Sequence, residues 1–275
     1  MRRILGNTLR YLLLTAIAAL MVGPFVWMVA TSLMDPQDIF RIPPRWIPDR
    51  FDLRNYSAIM DVLPLGTLLM NSFTIAVSAT IGQLLSCTLA AYAFARMDFR
   101  GKNTLYFILL ATMMIPAQVT MIPTFLIMRA AGLIDTLYAL IVPAFFGGAF
   151  GTFLLRQFFT SIPRELDDAA RMDGCGRFRI LWSIYLPLSR PALATLGLFT
   201  FMTYWNDLLG PVIYLSSTEQ ATLTMGLASL QSGTMLARYD LLMAGSVLSV
   251  LPILLLLIVG QQWFVKGVAT TGLKE

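Results

Sequence analysis

The sequence predicts an all-α polytopic membrane protein, and three observations carry that expectation. Of 275 residues, 57% are hydrophobic and only 13% charged, with a mean hydropathy of +0.72. Soluble domains carry about 25% charged and about 45–50% apolar residues. The gap excludes a soluble globular enzyme, a disordered chain and a disulfide scaffold. Six apolar segments are long enough to be read as bilayer-crossing helices, and the basic residues gather in alternate connections between them.

The spans are expected at 11–33, 65–95, 104–128, 137–155, 192–215 and 241–265, within one domain covering 1–275. Arg2, Arg3 and Arg10 precede the first span, as in a signal peptide. Its apolar stretch outruns the roughly 7–15 residues of a cleavable segment, so it reads as a retained span. Fourteen of the 20 Lys and Arg residues fall on one side: before the first span, at 96–102, at 156–190 and beyond 265. Arg41, Arg45, Arg50, Arg54, Arg129 and Arg238 fall on the other. The positive-inside rule then puts both termini in the cytoplasm. Topology alone explains the net charge of +5, with no nucleic acid involved.

The chain has no histidine, which excludes His-based metal sites, Ser-His-Asp and Cys-His nucleophiles, and His proton relays. Its two cysteines, Cys87 and Cys175, fall on a span and a polar loop and are not expected to pair. The outer loop, about 35–64, carries Pro36, Pro43, Pro44 and Pro48. It reads equally as a lid over the bundle or as a docking surface for something outside.

Polar side chains, including Asn71, Ser72 and Gln83, recur along the second span. They serve either interhelical hydrogen bonds or a polar translocation path; Asn71, Gln118, Asn206 and Asp207 are the path candidates. Asp207 is the one ionisable group well inside a span. Ion-coupled carriers need buried acids or cations as coupling sites. Energy for transport is therefore expected from another subunit.

The inner loop, about 156–190, is the most informative stretch. Pro163 suits a first helical position and Glu165 the first turn, where negative charge complements the helix dipole. Leu166, Ala169 and Ala170 share one face at helical spacing. Arg164 with Asp168, and Asp167 with Arg171, form pairs four apart on another. Gly174 permits the left-handed turn that ends a helix. A second helix then places Phe178, Leu181, Trp182 and Tyr185 on one stripe, before Pro187 and Pro191. Two readings remain: an interfacial hairpin with its apolar stripe among lipid headgroups, or a ligand for a groove on a cytoplasmic partner.

This stretch resembles the signature of binding-protein-dependent ABC importer permeases, written E-A-A, three residues, G, nine residues, I-x-L-P. Here Asp168-Ala169-Ala170 is followed at the same spacing by Gly174 and by Ile184-Tyr185-Leu186-Pro187. Asp168 stands where glutamate is usual. The segments 89–96, Arg156-Gln157-Phe158-Phe159, Trp205-Asn206-Asp207 and 262–267 are similar to the sugar-importer branch, in its smaller, six-span, maltose-type subunit.

The resemblance implies a bacterial inner-membrane permease, not an enzyme. ATP and Mg would sit on two ATPase subunits, with no cofactor or metal in this chain. A second homologous permease and an extracytoplasmic solute-binding protein would complete the importer for a carbohydrate or carbohydrate-like solute. Glu165, Asp168, Ala169, Ala170, Gly174, Phe178, Leu181 and Pro187 would couple it to the ATPase. The chain lacks a G-x-x-x-x-G-K-[ST] loop, since Gly101-Lys102 is followed by Asn103 and has no upstream glycine. A secondary carrier or channel is the alternative. A membrane phosphotransferase is a further one, superficially similar at Asp167, Asp168, Ala170, Arg171, Asp173 and Gly174. There, however, Asp-Gly follows Ala-Arg, and the downstream aspartates of that enzyme family are missing.

Overall fold

A computed structural model describes the backbone of residues 2–43, 46–48, 50–231 and 238–272. Side chains of 2–6 and 262–272 lie outside that description, as do Arg45, Lys274 and the side chains of the 262–267 match. Helix and turn account for the secondary structure throughout the described residues. The chain forms two compact units, one of Met1–Leu65 with Gly226–Pro252, the other of Gly66–Met225 with Ile253–Glu275.

The first unit begins with α1 (Arg2–Ser32), followed by α2 (Pro36–Ile39) and α3 (Arg54–Val62) in the connection to the next span. The expected outer loop is thus partly helical and fastened in place. Asn55 is buried and donates to the carbonyls of Ser32 (3.0 Å) and Met34 (2.9 Å), and the Asp52 amide donates to Leu33 O (3.0 Å). These bonds satisfy carbonyls that the end of α1 would otherwise leave free.

The second unit is built around α4 (Leu65–Arg96), a 32-residue helix. α5 (Lys102–Ala111) and α6 (Ala117–Ala130) follow, and with the turn at 112–114 they meet at a bend of 103°. The expected third span is therefore broken. Pro116 removes an amide from the helical ladder and disfavours helical backbone at the residue before it; Ile115 is extended, with ψ 116°. Asp135, in the turn beyond α6, adopts a left-handed φ of 61°. Its carboxylate accepts from the amides of Ser216 and Ser217, both at 2.8 Å, and these bonds hold its pKa below the ordinary value.

α7 (Tyr138–Ile141) passes through a tighter 3₁₀ segment at Pro143 into α8 (Ala149–Ser161). The sequence expectation ended this span at Leu155, but the helix continues to Ser161. On α8, Gly151 faces a close neighbour: a Cβ there would stand 2.7 Å from Cys87 Sγ and 3.0 Å from Leu196. Both cysteines are free.

Next come α9 (Glu165–Met172), α10 (Arg177–Ile180), a wide π-type turn at Leu181–Tyr185, and α11 (Leu186–Leu188). α12 (Arg190–Trp205), expected as part of a span over 192–215, has only 16 residues. The Asn206 side chain donates to Met202 O (2.9 Å) as the helix ends. The chain then resumes in α13 (Leu209–Tyr214) and α14 (Leu223–Ser229), and the last helix is α15 (Tyr239–Gly272).

Among the described residues, four helices are long and apolar enough to cross a membrane: Asn7–Ser32, Leu65–Arg96, Tyr138–Ser161 and Tyr239–Gln261. The bent pair of α5 and α6 is a fifth candidate. In the most apolar stretch of Asn7–Ser32 no residue is buried within the chain. That face requires lipid or another protein.

Candidate functional site: the segment between α8 and α12

Residues 162–189 form a compact knot whose inward side belongs to the second unit's core. α9 ends as the sequence predicts. Gly174 has φ 76°, Cys175 N donates to Ala170 O (2.9 Å) and Gly174 N to Arg171 O (3.0 Å). This paired pattern caps a helix through a left-handed residue. Pro163 lies ahead of the helix rather than in its first turn, and Arg164 supplies the first carbonyl, to Asp167 and Asp168 N.

The expected faces differ in detail. Ala170 turns inward with Asp167, while Leu166 and Ala169 are exposed together with Glu165 and Asp168. The expected pairing of Asp167 with Arg171 is replaced by an inward one. Asp167 accepts from the Tyr185 hydroxyl (2.7 Å) and lies 3.9 Å from Arg96 Nε. Burial, then the bond to Asp167, raises the Tyr185 pKa, so the hydroxyl stays a proton donor.

The second stripe splits as well. Ile180, Leu181 and Tyr185 are in the core, whereas Phe178 and Trp182 are 79% and 71% exposed. A π-type turn follows Phe178: its bonds to the fifth rather than the fourth residue widen the helix, so Phe178 and Tyr185, seven apart, no longer share a line. Leu181 therefore supports the knot from beneath, and Phe178 and Trp182 present its apolar surface. Pro187 is exposed within α11. Leu181→Ala is expected to cost about 2–5 kcal/mol of folding stability through a buried cavity, whereas exposed Phe178→Ala stays within about 0.5 kcal/mol. Thermal unfolding of the detergent-solubilised chain checks the contrast.

Arg96, the last residue of α4, is the site residue to which sequence reasoning gave no role, having counted it as inward charge and as the end of the 89–96 match. Its side chain is 4% exposed. Nη2 donates to Phe159 O (2.7 Å) and to Ile162 O at the end of α8. The guanidinium also stands 5.2 Å from the Tyr185 ring centroid. The rings of Tyr92 and Phe159 meet that same ring edge-on, at 5.2 and 5.3 Å. The one advance signal was its place: a cation at the C-terminus of a long apolar helix, facing a loop with two adjacent aspartates.

Of the four path candidates, two are brought to one segment of the chain. Asn71 donates to Glu219 O (2.8 Å) and Ala221 O (2.9 Å), and its neighbour Ser72 accepts from Leu223 N. Asp207 O accepts from Thr224 (2.7 Å), and its carboxylate accepts from Gly210 N (3.3 Å). Asn71 and Asp207 thus both fix the 219–224 segment. Asn206 bonds within its own helix, and Gln118 is exposed on α6.

Residues 83–270 match the family model for the binding-protein-dependent transport system inner membrane component. The sn-glycerol-3-phosphate transport system permease protein UgpE of Yersinia enterocolitica is 33% identical over 273 residues, covering 97% of this chain and 96% of the relative. The arabinooligosaccharides transport system permease protein AraQ of Halalkalibacterium halodurans is 34% identical over 263 residues, covering 94% and 93%. A chain in the crystal structure of a bacterial ABC transporter that imports the acidic polysaccharide alginate superposes with a TM-score of 0.82. It is 27% identical, with 95% and 97% of the two chains covered. With this signature in the knot and these matches along nearly its whole length, the chain belongs to the binding-protein-dependent transport system inner membrane components, the permease subunits of ABC importers.

Proposed function

We propose that this permease forms, with a second homologous permease, the path for a carbohydrate or carbohydrate-like solute handed over by an extracytoplasmic binding protein. One of two ATPase subunits docks on the 162–189 knot from the cytoplasm, and the pair supplies the energy. One observation carries the reading. An outward face of Glu165, Leu166, Asp168, Ala169, Phe178 and Trp182 is held rigidly from beneath by buried Asp167, Ala170, Leu181 and Tyr185. Exposed apolar and acidic side chains on a well-anchored knot fit a helix-in-groove contact.

The solute class rests on relatives named for sn-glycerol 3-phosphate, arabinooligosaccharides, sulfoquinovosyl glycerol and alginate, all polyhydroxylated. Six crossings with cytoplasmic termini follow if the bent α5–α6 pair and the α12–α13 pair each count as one. Cysteine at Ser57 is then expected to react with an impermeant thiol reagent from outside, and cysteine at Arg100 only after permeabilisation. The reverse pattern would put the knot on the wrong side for an ATPase. The deciding experiment is copurification: the ATPase is expected to come down with this permease, and Phe178→Ala to reduce its recovery several-fold. Uptake by the purified chain alone, driven by an ion gradient, would favour a secondary carrier instead.

A further inference from the structure

The buried face of α9 is held in an unusual way for an eight-residue helix. Of its two inward side chains, Ala170 is small and Asp167 is a carboxylate, 5% exposed. The opposing charge, Arg96, closes α4 and is bonded to carbonyls at the end of α8. Tyr185, fully buried, bonds Asp167 with its hydroxyl while its ring touches Tyr92 of α4 and Phe159 of α8. The end of α4, distant in sequence, thus meets α8, α9 and the turn at Tyr185 on one set of charge-assisted contacts.

Pulling apart a buried charge or hydrogen-bonded pair leaves unsatisfied groups behind, so such contacts strongly resist separation. We infer that the Arg96–Asp167–Tyr185 cluster is a rigid strut that makes α9 and the ends of α4 and α8 move as one body. Arg96 and Asp167 are positioning residues, and the inference rests on the docking role proposed above. The strut has slight slack. Arg96 Nε is buried without a hydrogen-bond partner, and Asp167 Oδ2 at 3.9 Å is about 1 Å too far to serve.

The test needs no solute. In the importer complex containing both permeases and the ATPase, Cys87→Ala and Cys175→Ser remove the native thiols. Spin labels are then placed at exposed Met172 on α9 and exposed Leu85 on α4. The distance between them is read without nucleotide and with ATP, Mg and vanadate. With the strut intact it is expected to shift by less than about 2 Å, the scale of a small helix adjustment. Asp167→Asn and Tyr185→Phe are expected to keep the ATPase bound and hydrolysing, yet to broaden or displace that distance by several ångströms between states. Asp167→Glu is expected to restore it. Tyr185→Phe keeps the ring packing and so remains readable even where Asp167→Asn misfolds. A large nucleotide-dependent shift in the unmutated strut would overturn the inference, as would an unchanged distance in the variants or their joint loss of assembly. An unmutated complex that never retains the ATPase refutes the docking role instead.

Discussion

Gly174→Val is expected to abolish most ATP-driven uptake while leaving membrane insertion intact. The residue sits at φ 76°, where a Cβ has no neighbour within 4 Å, so the penalty comes from the backbone alone. A β-branched residue held there costs on the order of 1–2 kcal/mol, or swings the backbone out of the left-handed region. The second outcome breaks the paired cap to Ala170 and Arg171 and turns α10 away from α9, separating Phe178 and Trp182 from Asp168 and Ala169. ATPase copurification is expected to fall sharply with uptake. Gly174→Asn is the control, because asparagine tolerates the left-handed region, and it is expected to retain most of both. Gly174→Val with normal ATPase recovery and full uptake would return the knot to the role of an interfacial hairpin.

The second large effect is on folding. Tyr185→Ala removes a fully buried ring that packs on Tyr92 and Phe159 and also leaves Asp167 without its hydroxyl donor. An aromatic-to-alanine change in a core costs about 3–5 kcal/mol, a large share of the stability of a domain. The variant is expected to accumulate poorly and, in detergent, to melt well below the parent. Tyr185→Phe keeps the ring and is expected to lose about 1–3 kcal/mol, from the orphaned carboxylate. Scanning fluorimetry and yield after size exclusion separate the three chains. Near-equal melting temperatures for the alanine and parent forms would mean that the knot is not part of the core.

The reason some of this was readable in advance is that length and glycine act locally. Apolar runs such as 65–95 and 241–265 are helical because the backbone must satisfy itself where water is absent. Gly174 marks a left-handed cap whatever packs around it. The α5–α6 bend followed from Pro116 only once the direction of α6 was known, since proline in a membrane helix produces anything from a mild kink to a break. The splitting of the Phe178 stripe was not readable. An even 3.6-residue period was assumed through Leu181–Tyr185, and the chain departs from it there in a π-type turn that keeps Ile180, Leu181 and Tyr185 in one core and leaves Trp182 outside. Arg96 was hidden for a different reason. A terminal arginine is an ordinary sidedness signal, and only the fold brings Asp167 to it from 71 positions away.

The seam at Gly151 bears on how closely α8 is keyed to its neighbours. A methyl group added to that glycine would stand 2.7 Å from Cys87 Sγ and 3.0 Å from Leu196. The joint between α4, α8 and α12 therefore works like a fitted key, and any side chain at position 151 has to push those neighbours aside before α8 can seat.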